Sequence, residues 1–229
     1  MDPQRCKEQF QQLLGRPDAE LPLERMCYLI CQLAGEEVDM ALEMRKHDVL
    51  AGLLTPTFAG IISGLFGPTG PIRGNSQDYY NFENSLLTRL RANGRGLPIT
   101  LCVQALVYGE RLDVPMAGVG MPGHFLLRST SEPDLFADPF HGDQTFDAST
   151  ARRLFERLTG GGVAWQDSFL DPVSSRNILY RILNNLHVSA TKHAQWRHHL
   201  PWILELSSWF SQGRTFDSAT AARLMAPYN

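Results

Sequence analysis

The 229-residue sequence holds no apolar run of the length a bilayer demands, about 20 residues. Its longest candidate, LLTPTFAGIISGLFG, is broken by proline and glycine, so no membrane span is expected. The amino-terminal MDPQRCKEQFQQLLGRPDAE is polar and lacks the apolar core of a secretory signal, which leads to the expectation of a cytoplasmic protein. An excess of one charge is missing too. Against 24 Asp and Glu stand 21 Lys and Arg, a net charge of −3, which leaves no electrostatic footprint for nucleic acid or an anionic membrane.

Cysteine is scarce. The four thiols, Cys6, Cys27, Cys31 and Cys102, suit neither a disulfide framework nor a metal knuckle. Cys27 and Cys31 stack on one helix face in ERMCYLICQLAG, but no second ligand pair matches their spacing, and two small core side chains is the better reading. KHAQWRHHL gathers His193, His198 and His199 without a cysteine or carboxylate cluster, so a solvated helix face is expected there rather than a metal. No cofactor and no metal are expected anywhere in the chain.

What is present is enough apolar material, 43% of residues with only 20% charged, to bury a core. PLERMCYLICQLAG places Leu23, Met26, Cys27, Ile30 and Leu33 at helical spacing, and VDMALEMRKHDVLAGLL and TPTFAGIISGLF continue as helices. GPTGPIRGNSQDYYNFENS has the Gly, Pro, Asn and Ser of an ordered loop. SLLTRLRANGRG reads as a short helix closed by Gly94, and ITLCVQALVYGERL as another with Leu101, Ala105, Tyr108 and Leu112 on one side. From Gly118, VGMPGHFLLRS and PDLFADPF read as strands. DASTARRLFERL returns to helix with Asp147 or Ser149 as cap. SRNILYRILNNLHVSATKHAQWRHHLPWILELSSWF predicts two helices with a break near Pro201, in which Trp196, Trp202 and Trp209 pack the tail on the core. TFDASTARRL (145–154) and TFDSATAARL (215–224) share one helix-start solution. The fold class is α+β: a helical part over 1–95, a core over 96–158 and a helical tail over 159–229.

Three residues could carry chemistry. A thiol attacks as thiolate, so it needs a helix N-terminus and an imidazole beside it. The imidazole shuttles the proton and a carboxylate fixes its tautomer. Cys102, His124 and Asp138 occur in that order, the last two inside apolar strands where each needs a partner. From the residues alone a structural His–Asp pair is favoured over a catalytic one.

The blocks RGNSQDYYNFENSLLTRL, RGLPITL, RLDVPMAGVGMPGHFLLR and FADPF, in that order, resemble the bacterial SirB-type transglutaminase-like family over about residues 20–158. The resemblance implies a papain-like core, with a helix carrying the nucleophile at its start packed on a small antiparallel sheet that supplies His124 and Asp138. RNILYRILNNL resembles the family's tail of tetratricopeptide-like hairpins. The nucleophile departs from the pattern of active enzymes. Where SirB-type proteins read P-I-S-L this chain reads PITL, so Thr100 takes the serine's place, and the thirteen residues from Cys102 to Pro115 fall short of the active enzymes' run. If Pro98 opens the helix, Thr100 lies in the first turn and Cys102 beyond it; if Thr100 is the cap, Cys102 is placed for a thiolate. Arg73, Asn75, Asp78, Tyr79, Tyr80, Asn84 and Ser85 match the family's first block, with Tyr79, Tyr80 and Asn84 as candidates to line a substrate cleft.

Two functions are consistent with this sequence. One is a module with a degenerate site that binds a protein or peptide and acts by regulation. The other is a cysteine-dependent amide or acyl hydrolase or transferase, biosynthetic in one form, working through a thioester on Cys102.

Overall fold

A computed structural model describes residues 2–210. Its elements run α1 (Pro3–Leu14), α2 (Leu23–Leu33), α3 (Met40–Ala51), α4 (Phe58–Phe66), β1 (Arg73–Gly74), α5 (Leu87–Asn93), β2 (Arg95–Gly96) and α6 (Pro98–Arg111). The strands β3 (Met116–Val119), β4 (Leu126–Ser129), β5 (Phe136–Ala137) and β6 (Thr145–Phe146) follow, then α7 (Ala148–Thr159), α8 (Ser175–Lys192) and α9 (Leu200–Phe210). This is an α+β architecture, helices around a small antiparallel sheet ordered β3-β4-β5-β6.

Local chemistry accounts for the boundaries. Thr57 and Asp147 accept from backbone N–H groups at the starts of α4 and α7, relieving donors that a helix start leaves unpaired. Gly94 closes α5 at φ +64°, a left-handed conformation that glycine adopts without a Cβ penalty. Asp18, far away in sequence, accepts from the backbone of Ser175 and Arg176 and so ties the start of α8 to the amino-terminal helices.

The sheet divides the core. Successive strand residues face opposite sides, and Leu127 and Ala137 join the large cluster built on α1, α2, α4, α6, α8 and α9. Their neighbours Leu126 and Phe136, with Val119, face the smaller cluster that Ala151 and Phe155 of α7 complete. The sheet is thus covered by α6 on one side and α7 on the other. Trp196 stacks on Phe82, Trp202 is buried, and Trp209 lies 6.3 Å from Phe10, which docks the last helices onto the first.

Several expectations need adjustment. The tail breaks before Pro201, at a 3₁₀ segment Ala194–His199, because proline at a helix's opening turn gives up no needed donor. The loop at 67–85 contains β1, which pairs in parallel with β2, and a 3₁₀ turn at Phe82–Ser85. β3 begins at Met116, before Gly118. The MPGH turn then splits that stretch, so His124 stands just before β4, and Asp138 just after β5, rather than inside the strands. Thr145 and Phe146, read as a helix lead-in, form an edge strand first. The second copy, TFDSATAARL, lies outside the described residues.

Candidate functional site

The register of α6 decides what its first turn offers. Leu97 is the cap and Pro98 the first helical residue, which makes Thr100 the third and Cys102 the fifth. At about 100° per residue the two side chains point about 200° apart. The Cys102 Sγ lies 3.7 Å from the Phe125 carbonyl, so Cys102 faces the sheet. Gly109, seven residues on, faces the same way against Met116 of β3. Gln104 instead reaches His47 of α3, Nε2 to Nε2 at 3.1 Å, and Thr100, one turn earlier, shares that direction. Its buried hydroxyl has no hydrogen-bond partner. Thr100 is therefore turned away from the strand ends, and the residue at the helix start within about 40° of the sheet-facing direction is Pro98, which has no reactive group.

Cys102 faces the right way but sits a turn too deep. It is fully buried. Burial pushes its thiol well above the ordinary cysteine range, and the Asp138 charge raises it further. A thiol in that state is not a nucleophile at neutral pH.

The acid–base partners are in place. Antiparallel pairing of Leu127 with Ala137 brings the start of β4 and the end of β5 together, and His124 Nε2 lies 2.7 Å from Asp138 Oδ2. An ionised carboxylate only accepts, so the His124 nitrogen aimed at Asp138, Nε2, is the one that donates. Asp138 Oδ1 accepts from the Phe140 N–H at 3.1 Å. A third group, unforeseen from the sequence, completes the cluster: His141 Nδ1 lies 2.7 Å from the same Oδ2. Burial alone would raise the Asp138 carboxyl, but the bonds from the two imidazoles outweigh it and hold the group well below the usual carboxylate range. The same bond raises the pKa of His141. The available signal was spacing, a second histidine three residues after Asp138 in DPFH.

The first block of the resemblance builds support around this centre. Arg73 donates to the carbonyls of Gly67 and Ile72, both at 2.6 Å, and wraps the end of α4. Asn84, 3% exposed, donates to the Asp78 and Tyr79 carbonyls and accepts from Asn75, so it holds the loop from inside. Tyr79 and Tyr80 do reach the surface. Tyr79, 37% exposed, packs edge-on against Tyr80 and against Phe140, whose ring is 6.2 Å from that of His124. The Lys192 ammonium lies 3.4 Å from the Tyr80 ring centre. Asp138 and His141 border a cleft of about 570 Å³ that Phe146, Leu154, Gln144 and Arg157 also line.

The family described as the transglutaminase-like superfamily matches residues 30–184, which include α6, the four-stranded sheet and the His124–Asp138 pair. The chain belongs to the transglutaminase-like superfamily. Among its bacterial relatives are a UPF0162 protein of Xylella fastidiosa, 38% identical over 118 residues (50% of this chain, 42% of that protein), and one of Pseudomonas aeruginosa, 34% identical over 104 residues (45% and 38%). F-box only protein 21 of the mouse is 38% identical over 56 residues, 24% of this chain and 9% of that protein. The matched regions span less than half the length of the UPF0162 relatives. No solved structure matches. Among the described residues no helix is long and apolar enough to cross a membrane.

Proposed function

We propose that this transglutaminase-like chain binds a protein or peptide segment and performs no thiol chemistry at its His–Asp centre. One observation carries the reading: Cys102 is buried a full turn inside α6 with its thiol on the Phe125 carbonyl. The Tyr79–Tyr80–Phe140 aromatic group beside His124 supports binding, since aromatic rings supply large contact area at low cost in side-chain entropy. Four free, buried cysteines support placing the protein in the cytoplasm.

Native protein treated with iodoacetamide from pH 6 to 9, with peptide masses locating the label, tests the chemistry. Cys102 is expected to stay unlabelled, in the wild type and in His124→Ala alike. Rapid labelling at pH 7 that disappears in His124→Ala would overturn the proposal in favour of a thioester enzyme. Binding is tested by selecting a displayed peptide library on the protein and counter-selecting on Tyr79→Ala. Clones that depend on Tyr79 are expected, and an enrichment indifferent to Tyr79 counts against the aromatic surface.

A further inference from the structure

A His–Asp pair has no need of His141, yet His141 is built into the centre. Its Nδ1 and the His124 Nε2 both lie 2.7 Å from one oxygen, Asp138 Oδ2, and the three candidate ligand atoms lie within 4.8 Å of one another. The Phe140 N–H on Oδ1 fixes the carboxylate plane, as the outer hydrogen bonds of metal-ligating carboxylates do. His124 and Asp138 are buried, whereas the His141 side chain is 57% exposed and borders the cleft.

We infer that His124, Asp138 and His141 form a binding site for one divalent first-row transition ion. Two imidazoles and a carboxylate are the donors such ions take, at bond lengths of about 2.0–2.2 Å. Tetrahedral ligands at that distance stand about 3.3 Å apart, so each 2.7 Å contact need only open by about half an ångström to admit the ion. On binding, the ion replaces the protons on His124 Nε2 and His141 Nδ1. Those protons pass to solvent or to the other ring nitrogens, and each imidazole nitrogen then bonds the ion through the lone pair its proton had occupied, beside the Asp138 oxygen on which both rings converge. Asp138, His141 and Arg157 all border the cleft, so an oxygen of a ligand entering from the cleft can complete the coordination and Arg157 can meet its charge. This goes beyond the proposed binding role and stands without it.

Zinc is the probe. Tag-free protein, stripped with chelator and dialysed, is titrated with zinc against a competing metallochromic indicator, and its melting temperature is read with and without the ion. The same series with cobalt gives visible absorption that reports ligand geometry. One equivalent bound with submicromolar Kd and a rise in Tm is expected for the wild type. His141→Ala, chosen because its exposed side chain can be removed without disturbing the core, is expected to weaken binding at least tenfold and abolish the Tm rise. Asp138→Glu, which keeps the charge, serves as a second variant with a displaced oxygen and is expected to weaken binding less. Absence of stoichiometric binding in the wild type, or binding unchanged in His141→Ala, overturns the site.

Discussion

At the scale of single residues the centre is divided by one helix turn. Thr100 occupies the place the sequence pattern marks for a nucleophile, but its neighbours on the same face are Gln104 and, beyond it, His47, not His124. A hydroxyl buried without a partner costs the free energy of its lost hydration, about 1–3 kcal/mol. Replacing it by a methyl of the same shape removes that cost without opening a cavity. Thr100→Val is therefore expected to leave stability unchanged or to raise it by about 1 kcal/mol, measured by the urea midpoint at constant m. A drop of 2 kcal/mol or more would mean that the hydroxyl has a partner and a role. The same register explains why Cys102, though it faces the sheet, is a core side chain: the dipole benefit of a helix start fades within the first turn, and burial acts in the opposite direction.

At the scale of elements, the centre depends on a loop contact that no single residue at the site reveals. The carbonyl and ring of Phe140, between Asp138 and His141, lie against the bare backbone of Gly74 in β1. A Cβ added at Gly74 would stand 2.4 Å from that carbonyl. Gly74 is itself pinned by pairing with Gly96 immediately before α6, so it cannot yield. The Arg-Gly-Asn block thus serves as the floor on which the DPFH loop rests. Gly74→Ala is expected to cost about 1–3 kcal/mol from overpacking and to move the loop that aims Asp138 and His141. The displacement is readable as a change in the His124 and His141 imidazole proton resonances in an NMR spectrum. A variant as stable as wild type with both imidazole signals unmoved would show that the contact is slack.

At the scale of the whole molecule, most of the helices, the capping by Asp147, the Gly94 terminus and the α+β class were legible in the sequence, because each rests on local periodicity or on a residue with one dominant conformational use. The His124–Asp138 pairing was legible as two polar groups in apolar segments that each need a partner, and the resemblance pointed the same way, but which strands neighbour each other is set by the tertiary fold. His141 was not legible, being one of seven histidines in the sequence until β5 ends beside β4. Nor was the buried ionic knot that joins three helices. Glu24 of α2 meets His47 of α3 at 2.5 Å and Arg111 of α6 at 2.7 Å, and Arg111 also holds Asp48 at 2.8 Å. Burial pushes the Glu24 carboxyl up, but the bonds from His47 and Arg111 prevail and its pKa is lowered. A carboxyl whose folded pKa lies below its unfolded value, about 4.3, stabilises the fold above that value, and the contribution is lost as pH falls through the folded pKa. Removing the charge leaves the Arg111 guanidinium short of a buried partner, so Glu24→Gln is expected to cost about 3 kcal/mol at pH 7. The difference between wild type and Glu24→Gln, followed by urea unfolding from pH 7 down to pH 3, is expected to hold steady to about pH 5 and then shrink. Subtracting the variant cancels every carboxylate that both proteins share, Asp138 and Asp147 included. A difference that stays flat to pH 3, or grows, would mean that the knot contributes nothing as an ion pair and that α2, α3 and α6 are held by their apolar faces alone.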